Sequence, residues 1–212
     1  MGKKSLLLRQ EALNLGPVAT SDTKSNVDYI FKVEVILMID TLVTPSSGRI
    51  TMRHPTAKDG AGVAALISSS PPLDINSTYC VLLQCTHFAQ TCILAERDGQ
   101  LMGWISGYAP PTHPESLFIW QVAVAKQARG TGLAGRMLDA LVARPALSGL
   151  NTLRTTITAD NAASWRLFES FAQRHGGEVS RLPLFEQDAH FAGQHATEFE
   201  FVIRLKADAD QA

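Results

Sequence analysis

A short glycine-rich segment, Gln127–Gly132, is the part of this sequence whose residue types and spacing most directly suggest chemistry. It follows the apolar stretch Leu117–Val124, which is typical of a strand, and precedes Leu133–Val142, whose pattern predicts a helix. A strand, a glycine turn and a helix start direct several unpaired backbone N–H groups at one anion. Because Gly130 and Gly132 lack a Cβ, a phosphate can approach that backbone closely. The segment therefore predicts a phosphate site, although an ordinary strand-to-helix turn has the same pattern.

The loop differs from two well-known phosphate-binding motifs. It lacks the Gly-Lys-Ser/Thr ending of a P-loop, and its glycines lie in mid-chain without the first βαβ unit of a dinucleotide fold. It does resemble the Gln/Arg-x-x-Gly-x-Gly/Ala loop of the GNAT acyltransferases, which holds the pyrophosphate of coenzyme A. The resemblance implies that acetyl-CoA is the acetyl donor and that it is bound by Gln127, Arg129, Gly130, Thr131, Gly132 and Leu133.

Length and composition describe one ordinary globular domain. The chain has 212 residues, of which 45% are hydrophobic, and a net charge of −1 at pH 7. This near-neutral charge, without a dense cluster of Lys or Arg, argues against a nucleic-acid partner. The sequence has no run of about 18 apolar residues, so no membrane span is predicted. No metal site is expected either. The three cysteines contain no Cys-x-x-Cys pair and are expected to be buried thiols in a reducing cytoplasm.

The elements that must position the loop follow from the hydrophobic pattern. From Arg49 onward the predicted order is β-α-α-β-β-β-α-β-α-β-β, which implies an α+β fold with a mixed, mostly antiparallel sheet. We expect six to seven strands and about four flanking helices. The predicted strands are Ile50–Arg53, Cys92–Glu96, Leu101–Tyr108, Leu117–Val124, Arg154–Thr158, a segment around Glu178–Arg181 and Glu198–Leu205.

Local signals set the predicted ends of these elements. Thr56 and Asp59 have the spacing of a helix cap, and Asp98-Gly99 is a favoured hairpin turn. The first helix is expected to bury Val63, Leu66 and Ile67. The second helix is expected to start near Asn76 and to include, at helical spacing, Tyr79, Leu82, Leu83 and Phe88.

Residues 1–48 differ in composition from the rest and are predicted to be an N-terminal extension. They combine polar residues with one apolar segment, Tyr29–Ile39, and end at the linker-like Thr44–Gly48. The apolar segment has three interpretations: an extra strand, a partner-binding segment, or translated upstream sequence. We predict a catalytic domain at 49–206 and a tail at 207–212, and we expect residues 1–48 to be dispensable for catalysis.

The element order and a second motif also resemble the GNAT fold. The motif is Thr158–Asn161, in which a strand ends and an asparagine begins a helix. In that family the strands corresponding to Val122 and Arg154–Thr158 splay apart, and the pantetheine arm lies between them. The resemblance implies cofactor contacts at Val122, Val124 and Asn161, and an N–H near Val122 that stabilises the reaction's oxyanion. Asn161 can serve at the same time as an ordinary helix cap.

One position departs from the family pattern. Many GNAT enzymes carry a general-acid tyrosine seven residues after this asparagine, and this chain has Phe168 there. A thiolate leaving group has no obligatory need for a proton donor, because thiols have a pKa near 8.5. Water or another residue is expected to supply the proton.

The remaining segments narrow the acceptor. Several segments resemble one branch of the family, which acetylates the 4-amino group of L-2,4-diaminobutyrate in ectoine synthesis. These segments are Pro72–Tyr79, His87–Thr91, Ser106–Pro111, Trp120–Val124 and Phe191–Glu198. The resemblance runs from about Arg53 to Leu205. It implies direct attack of the amine on the thioester and a homodimer, since sheet edges are often covered by a partner. The alternatives are a GNAT enzyme acting on another small amine, and a non-catalytic acyl-CoA sensor.

Six residues are candidates for the acceptor side, and four of them have a plainer alternative. Asp74 is expected to bind an ammonium group but could be a helix cap, and Tyr79 could be half-buried packing. The Trp120 face can hold an ammonium by cation–π attraction, or the residue can belong to the core. His195 is expected to relay a proton but could be structural. The candidates for substrate binding are Asp74, Ser77, Tyr79 and Trp120. The candidates for catalysis are Val122, His195 and Glu198.

Overall fold

Seven strands form a single sheet in the computed structural model, which describes residues 48–205. The order across the sheet is β1-β2-β3-β4-β5-β7-β6, and β4–β5 is a parallel pair among otherwise antiparallel neighbours. The predicted extension up to residue 47 and tail 207–212 lie outside the described residues. The strands are β1 (Thr51–Arg53), β2 (Ile93–Arg97), β3 (Gln100–Tyr108), β4 (Ser116–Val124), β5 (Thr152–Thr158), β6 (Glu178–Phe185) and β7 (Glu198–Arg204).

Helices cover both faces of this sheet. Within the described residues they are α1 (Gly60–Ser68), α2 (Thr78–Thr86), α3 (Leu133–Val142), α4 (Ala162–Arg174) and the short α5 (Gln187–Phe191). One core joins α1 and α2 to the β2–β4 part of the sheet through residues such as Val63, Val81, Leu94 and Trp104. The other joins α3 and α4 to the opposite face through residues such as Met137, Phe168, Ile157 and Phe201. The predicted α+β fold with a mixed sheet is confirmed.

Several local predictions are confirmed by the backbone. Asp98 and Gly99 both have positive φ, +52° and +74°, as a tight hairpin turn requires. The Asp59 carboxylate accepts the Thr56 N–H at 2.7 Å, which completes the predicted cap before α1. The predicted core face of α1 is buried as expected, with Val63, Leu66 and Ile67.

Helix α2 does not bury the apolar residues that the sequence places at helical spacing. The helix buries Val81, Gln84 and Cys85, whereas Tyr79 is 70% exposed and Phe88 lies beyond the helix end at Thr86. The prediction followed the largest apolar residues. Val81 and Cys85, smaller but four residues apart, are the ones that pack against the sheet.

The C-terminal part differs from the prediction in two ways. Strand β6 continues to Phe185, and α5 follows it, although no helix was expected there. Strand β6 includes Pro183, although proline cannot donate to a strand ladder. Since β6 is the edge strand of the described sheet, one side of it needs no hydrogen-bond donors, and Pro183 is accommodated there.

Strands β4 and β5 diverge towards their C-terminal ends. Their paired residues stop at Ile119 and Thr155, so the predicted splay is confirmed. On its other side, β4 contains a bulge, because Ser106 pairs with Gln121 while Gly107 pairs with Ile119. Trp120 is the extra residue. Bulges redirect side chains and often lie beside functional sites.

Candidate active site

A cavity of about 830 Å³ lies against the end of β4, between the N-terminal parts of α3 and α4. One wall is the turn Ser70–Leu73, which follows α1, and another is the glycine loop. This volume lies in the range of pockets that hold a cofactor-sized ligand. The predicted cofactor residues that line it are Val122, Val124, Arg129, Gly130, Gly132, Leu133 and Asn161.

The glycine loop has the backbone that its sequence predicts. Gly130 and Gly132 have φ of +77° and +73°, in the left-handed region that glycine tolerates best. No atom outside the chain neighbours lies within 4 Å of a Cβ placed on Gly130, and the nearest to one on Gly132 is Arg136 Nη1 at 3.7 Å. Helix α3 begins at the next residue, Leu133. Its unpaired N–H groups therefore adjoin open space in which an anion could sit.

Two of the predicted cofactor residues direct their side chains to the protein itself. Gln127 Nε2 lies 3.8 Å from Met102 Sδ. The Thr131 hydroxyl donates to the Ala128 carbonyl at 2.7 Å. Neither residue is part of the cavity wall.

Asn161 has both of the roles that the sequence allowed it. Its Oδ1 accepts the N–H of Ser164 at 3.1 Å, which caps α4, and the residue also lines the cavity. Phe168, at the position of the family's tyrosine, is buried in the core. It therefore provides no proton donor.

Four arginines around the cavity form a feature that sequence reasoning only partly found. Arg129 donates to the Val124 carbonyl at 3.0 Å and to the Ser70 hydroxyl at 3.3 Å, so it joins the loop to the turn after α1. The cavity wall also includes Arg136, Arg166 and Arg174. The spacing of Arg166 and Arg174, eight residues apart on one face of α4, was the available signal. Such a basic wall suits a ligand with several phosphates.

On the acceptor side, Glu198 is a largely buried carboxylate at the start of β7. Its side chain is 19% exposed, and its Oε2 is fully buried without a hydrogen-bond partner among the described residues. Burial raises the pKa of this carboxyl, and the nearby charges of Asp74 and Asp160 raise it further, while Thr156 and His195 lower it. A buried oxygen without a partner is costly and therefore often has a functional reason.

His195 presents one ring nitrogen towards this carboxylate. Its Nδ1 lies 2.8 Å from the Ala196 carbonyl, which can only accept, so Nδ1 carries a proton. Nε2 lies 3.9 Å from Glu198 Oε1. In the neutral ring Nε2 has a free lone pair and can accept a proton.

The segment that carries Asp74 is a loop before α2. The cap of α2 is Ser77, whose hydroxyl oxygen accepts the Cys80 N–H at 3.1 Å, so the interpretation of Asp74 as the cap is wrong. The Asp74 side chain is exposed, and its charge raises the pKa of Glu198. The packing alternative for Tyr79 is also wrong, because that side chain is exposed.

Trp120 lies on the bulge of β4 and is 46% exposed, so the core alternative for this residue is wrong. Its ring meets that of Tyr108 edge to face, with centroids 6.4 Å apart. Ile119 and Gln121 are buried and Trp120 between them is exposed, so the expected alternation holds along this part of β4. Sequence reasoning did not select Gln121.

The described part of the chain contains no cluster of three or more His, Cys, Asp or Glu residues suited to a metal ion. In the same residues, none of the helices has the length and hydropathy needed to span a bilayer.

Comparison with known proteins gives consistent matches. The sequence profile of the acetyltransferase (GNAT) family matches residues 65–172. L-2,4-diaminobutyric acid acetyltransferase of Methylotuvimicrobium alcaliphilum is 50% identical over 149 residues, which is 70% of this chain and 87% of that protein. The enzyme of the same name from Vibrio parahaemolyticus is 49% identical over 154 residues, or 73% of this chain and 85% of that protein.

A solved structure is also similar. Diaminobutyrate acetyltransferase from Paenibacillus lautus, in complex with its substrate L-2,4-diaminobutyric acid and coenzyme A, superposes with a TM-score of 0.72 at 36% sequence identity. The match covers 75% of this chain and 96% of that one.

Proposed function

Because this chain belongs to the acetyltransferase (GNAT) family, we propose that it transfers the acetyl group of acetyl-CoA to the 4-amino group of L-2,4-diaminobutyrate. The observation that carries this proposal is the cavity of about 830 Å³ lined by Val122, Gly130 and Asn161. The acidic side chains of Asp74 and Glu198 suit an acceptor with two ammonium groups. The relatives described above, which are 36% to 50% identical to this chain over the matched regions, support the same acceptor.

In this proposal acetyl-CoA occupies the cavity beside β4. Its pyrophosphate binds the N–H groups at Gly130 and Gly132, and its pantetheine arm lies along the free edge of β4 at Val122 and Val124. Asn161 approaches the arm from α4. The arginines of the cavity wall neutralise the phosphates.

The reaction then proceeds by direct attack, without an acyl-enzyme. A primary ammonium is not nucleophilic until it loses a proton, and His195 Nε2 or the Glu198 carboxylate accepts that proton. The amine nitrogen bonds to the thioester carbon, and an N–H near Val122 stabilises the oxyanion. Breaking of the C–S bond releases coenzyme A as a thiolate, which takes a proton from water.

The other acceptor-side residues hold the substrate. Asp74 pairs with the ammonium group of diaminobutyrate that does not react. Ser77 and Tyr79, at the exposed start of α2, donate hydrogen bonds from their hydroxyl groups to the carboxylate of diaminobutyrate. The exposed face of Trp120 attracts a cation.

The function is tested by release of free thiol from acetyl-CoA with and without diaminobutyrate. We expect release that depends on diaminobutyrate and a product whose NMR spectrum shows acetylation at N4. Release with a polyamine or aminoglycoside but not with diaminobutyrate would favour the other-amine alternative. Acetyl-CoA binding without release for any amine would favour the sensor.

Gly132→Val tests the cofactor site. Valine adds a branched side chain where the pyrophosphate is proposed to lie and is strained at a φ of +73°. We expect calorimetry to show acetyl-CoA affinity reduced by about a hundredfold, or nearly 3 kcal/mol. The matched control is Gly149→Val, at an exposed glycine with open space around it. Unchanged affinity in a folded Gly132→Val protein would contradict the loop assignment.

We infer a homodimer from the exposure of the sheet edge. All eight residues of β6 are exposed, and the apolar ones among them are Val179, Leu182, Leu184 and Phe185. Exposed apolar edge strands tend to be covered by a partner. We expect light scattering to give a particle mass of twice the chain mass of 23.0 kDa. The Leu182→Arg variant should have the mass of a single chain. Gln100→Arg, on the distant β2–β3 hairpin, is the control, and a wild-type particle of 23.0 kDa would contradict the dimer.

We also propose a dispensable N-terminal extension and a cytoplasmic location. Residues 1–48 are dispensable for catalysis, which is supported by matches that cover 70% to 78% of the chain. A cytoplasmic location is supported by three free cysteines, of which Cys85 and Cys92 are buried.

A further inference from the structure

The side chain of Gln121 joins the sheet to the loop that carries Asp74. It is only 5% exposed. Its Nε2 donates to the Asp74 carbonyl at 2.8 Å, and its Oε1 accepts from Asn76 Nδ2 at 3.1 Å. Both hydrogen bonds that the structure shows between this loop and the sheet are therefore made by one buried amide.

Apart from Leu73, which packs against the core formed with α1 and α2, the loop shows no other anchor to the sheet among the described residues. Residues 74–77 have no regular secondary structure, and Asp74 and Ile75 are exposed. The Ser77 cap fixes the start of α2 but lies three residues beyond Asp74. The position of the Asp74 carboxylate relative to the sheet therefore depends on the Gln121 amide.

The position of Gln121 on β4 is equally specific. It directly follows the bulge at Trp120 and directly precedes Val122, beside which the thioester is proposed to react. The Gln121 side chain is buried, and the pairing of Gln121 with Ser106 fixes its backbone in the sheet. One residue thus lies between the acetyl-transfer position and the ammonium-binding loop.

We infer that Gln121 is a positioning residue that sets the distance from Asp74 to the thioester, and that this distance selects the 4-amino over the 2-amino group. This inference rests on the proposed function. The two amino groups of diaminobutyrate are separated by a three-carbon stretch, so a small displacement of the anchoring carboxylate changes which one reaches the thioester. A misplacement of about 1 Å can cost on the order of a hundredfold in rate.

The test is Gln121→Met, which keeps the length and apolar stem of the side chain and removes both hydrogen bonds. We expect an unchanged affinity for acetyl-CoA, a KM for diaminobutyrate raised by about tenfold, and N2-acetylated product detectable by NMR beside the N4 product. Gln121→Glu retains the acceptor for Asn76 but loses the donor to the Asp74 carbonyl. It should give an intermediate share of N2 product.

Two further variants separate positioning from stability. Asn76→Ala removes the 3.1 Å bond from the loop side without altering the sheet, so it remains informative if Gln121→Met folds poorly. Ser116→Ala, at a buried polar position at the other end of β4, is the control and should keep full N4 selectivity.

The outcomes separate this inference from the proposed function. If wild-type protein acetylates diaminobutyrate but Gln121→Met and Asn76→Ala keep its KM and regioselectivity, the inference alone is overturned. A lowered melting temperature with intact N4 selectivity would assign Gln121 a purely structural role. Wild-type protein that does not acetylate diaminobutyrate overturns both proposals together.

Discussion

Glu198→Gln is expected to lower kcat by about two to four orders of magnitude, the usual contribution of a general base. The substitution keeps the shape of the side chain and removes its capacity to accept a proton. Glutamine cannot stabilise the His195 imidazolium either, whose Nε2 faces Glu198 Oε1 at 3.9 Å. The affinity for acetyl-CoA should not change, because Glu198 is not part of the cavity wall.

The same variant is expected to keep or raise the melting temperature at neutral pH. Burial raises the pKa of Glu198, so the folded state binds more protons than the unfolded state between the two pKa values. Stability therefore falls as the pH rises through that interval, and the ionised carboxylate is destabilising above it. Glutamine removes this cost. A protein that loses activity while gaining stability would identify a group retained for function.

The pH dependence of wild-type kcat/KM should report the same carboxyl. As the pH falls through its raised pKa, Glu198 becomes protonated and can no longer accept the proton of the amine. We therefore expect an acid limb with a midpoint above the pKa of an ordinary glutamate, and its loss in the residual activity of Glu198→Gln. Glu178→Gln, an exposed glutamate on β6, is the control. A less stable Glu198→Gln protein with normal turnover would indicate a structural role.

Features encoded by adjacent residues could be predicted from the sequence. The turn at Asp98-Gly99 requires two positive φ angles, and the loop at Gly130 and Gly132 requires the same freedom, so their residue types alone indicate the backbone. The cap formed by Thr56 and Asp59 is also local. Periodicity then placed the strands and the main helices, and the family resemblance supplied the splay between β4 and β5.

Features that depend on tertiary pairing could not be predicted in the same way. The bulge at Trp120 arises from the register of β3 against β4, which no local pattern of residues encodes. The hydrogen bonds of Gln121 join residues 47 and 45 positions apart in the chain, beyond the reach of any local pattern. The extension of β6 through Pro183 likewise depends on its place at the sheet edge.

Asp74→Asn is the second substitution with a large expected effect. It removes the charge proposed to hold the unreactive ammonium of diaminobutyrate while keeping the size of the side chain. Asp74 is exposed in the free protein, and bound diaminobutyrate is proposed to exclude water from the ion pair. Removing one partner of such a desolvated pair costs a few kcal/mol, or about a hundredfold in binding. We therefore expect KM for diaminobutyrate to rise by about this factor, with unchanged affinity for acetyl-CoA.

The structure predicts that this loss comes without a loss of stability. Asp74 is exposed, and the cap of α2 is Ser77, so Asp74→Asn should leave the melting temperature unchanged. The hydrogen bond from Gln121 is to the main-chain carbonyl and survives the substitution. Ser77→Ala is the contrasting variant, because losing the cap should cost about 1 kcal/mol of stability. The reverse ordering, a less stable but active Asp74→Asn protein, would contradict the assignment.

Asp74→Asn should also alter the pH dependence of the activity, an effect that weaker substrate binding alone would not produce. The charge of Asp74 raises the pKa of Glu198, so its removal lowers that pKa. At saturating diaminobutyrate, the acid limb of the remaining activity should move to lower pH than in the wild type. An unmoved limb with a raised KM would mean that Asp74 binds substrate but that Glu198 is not the proton acceptor. Product NMR supplies the remaining check, since acetylation of N2 by the wild-type enzyme would contradict an anchor that presents the 4-amino group to the thioester.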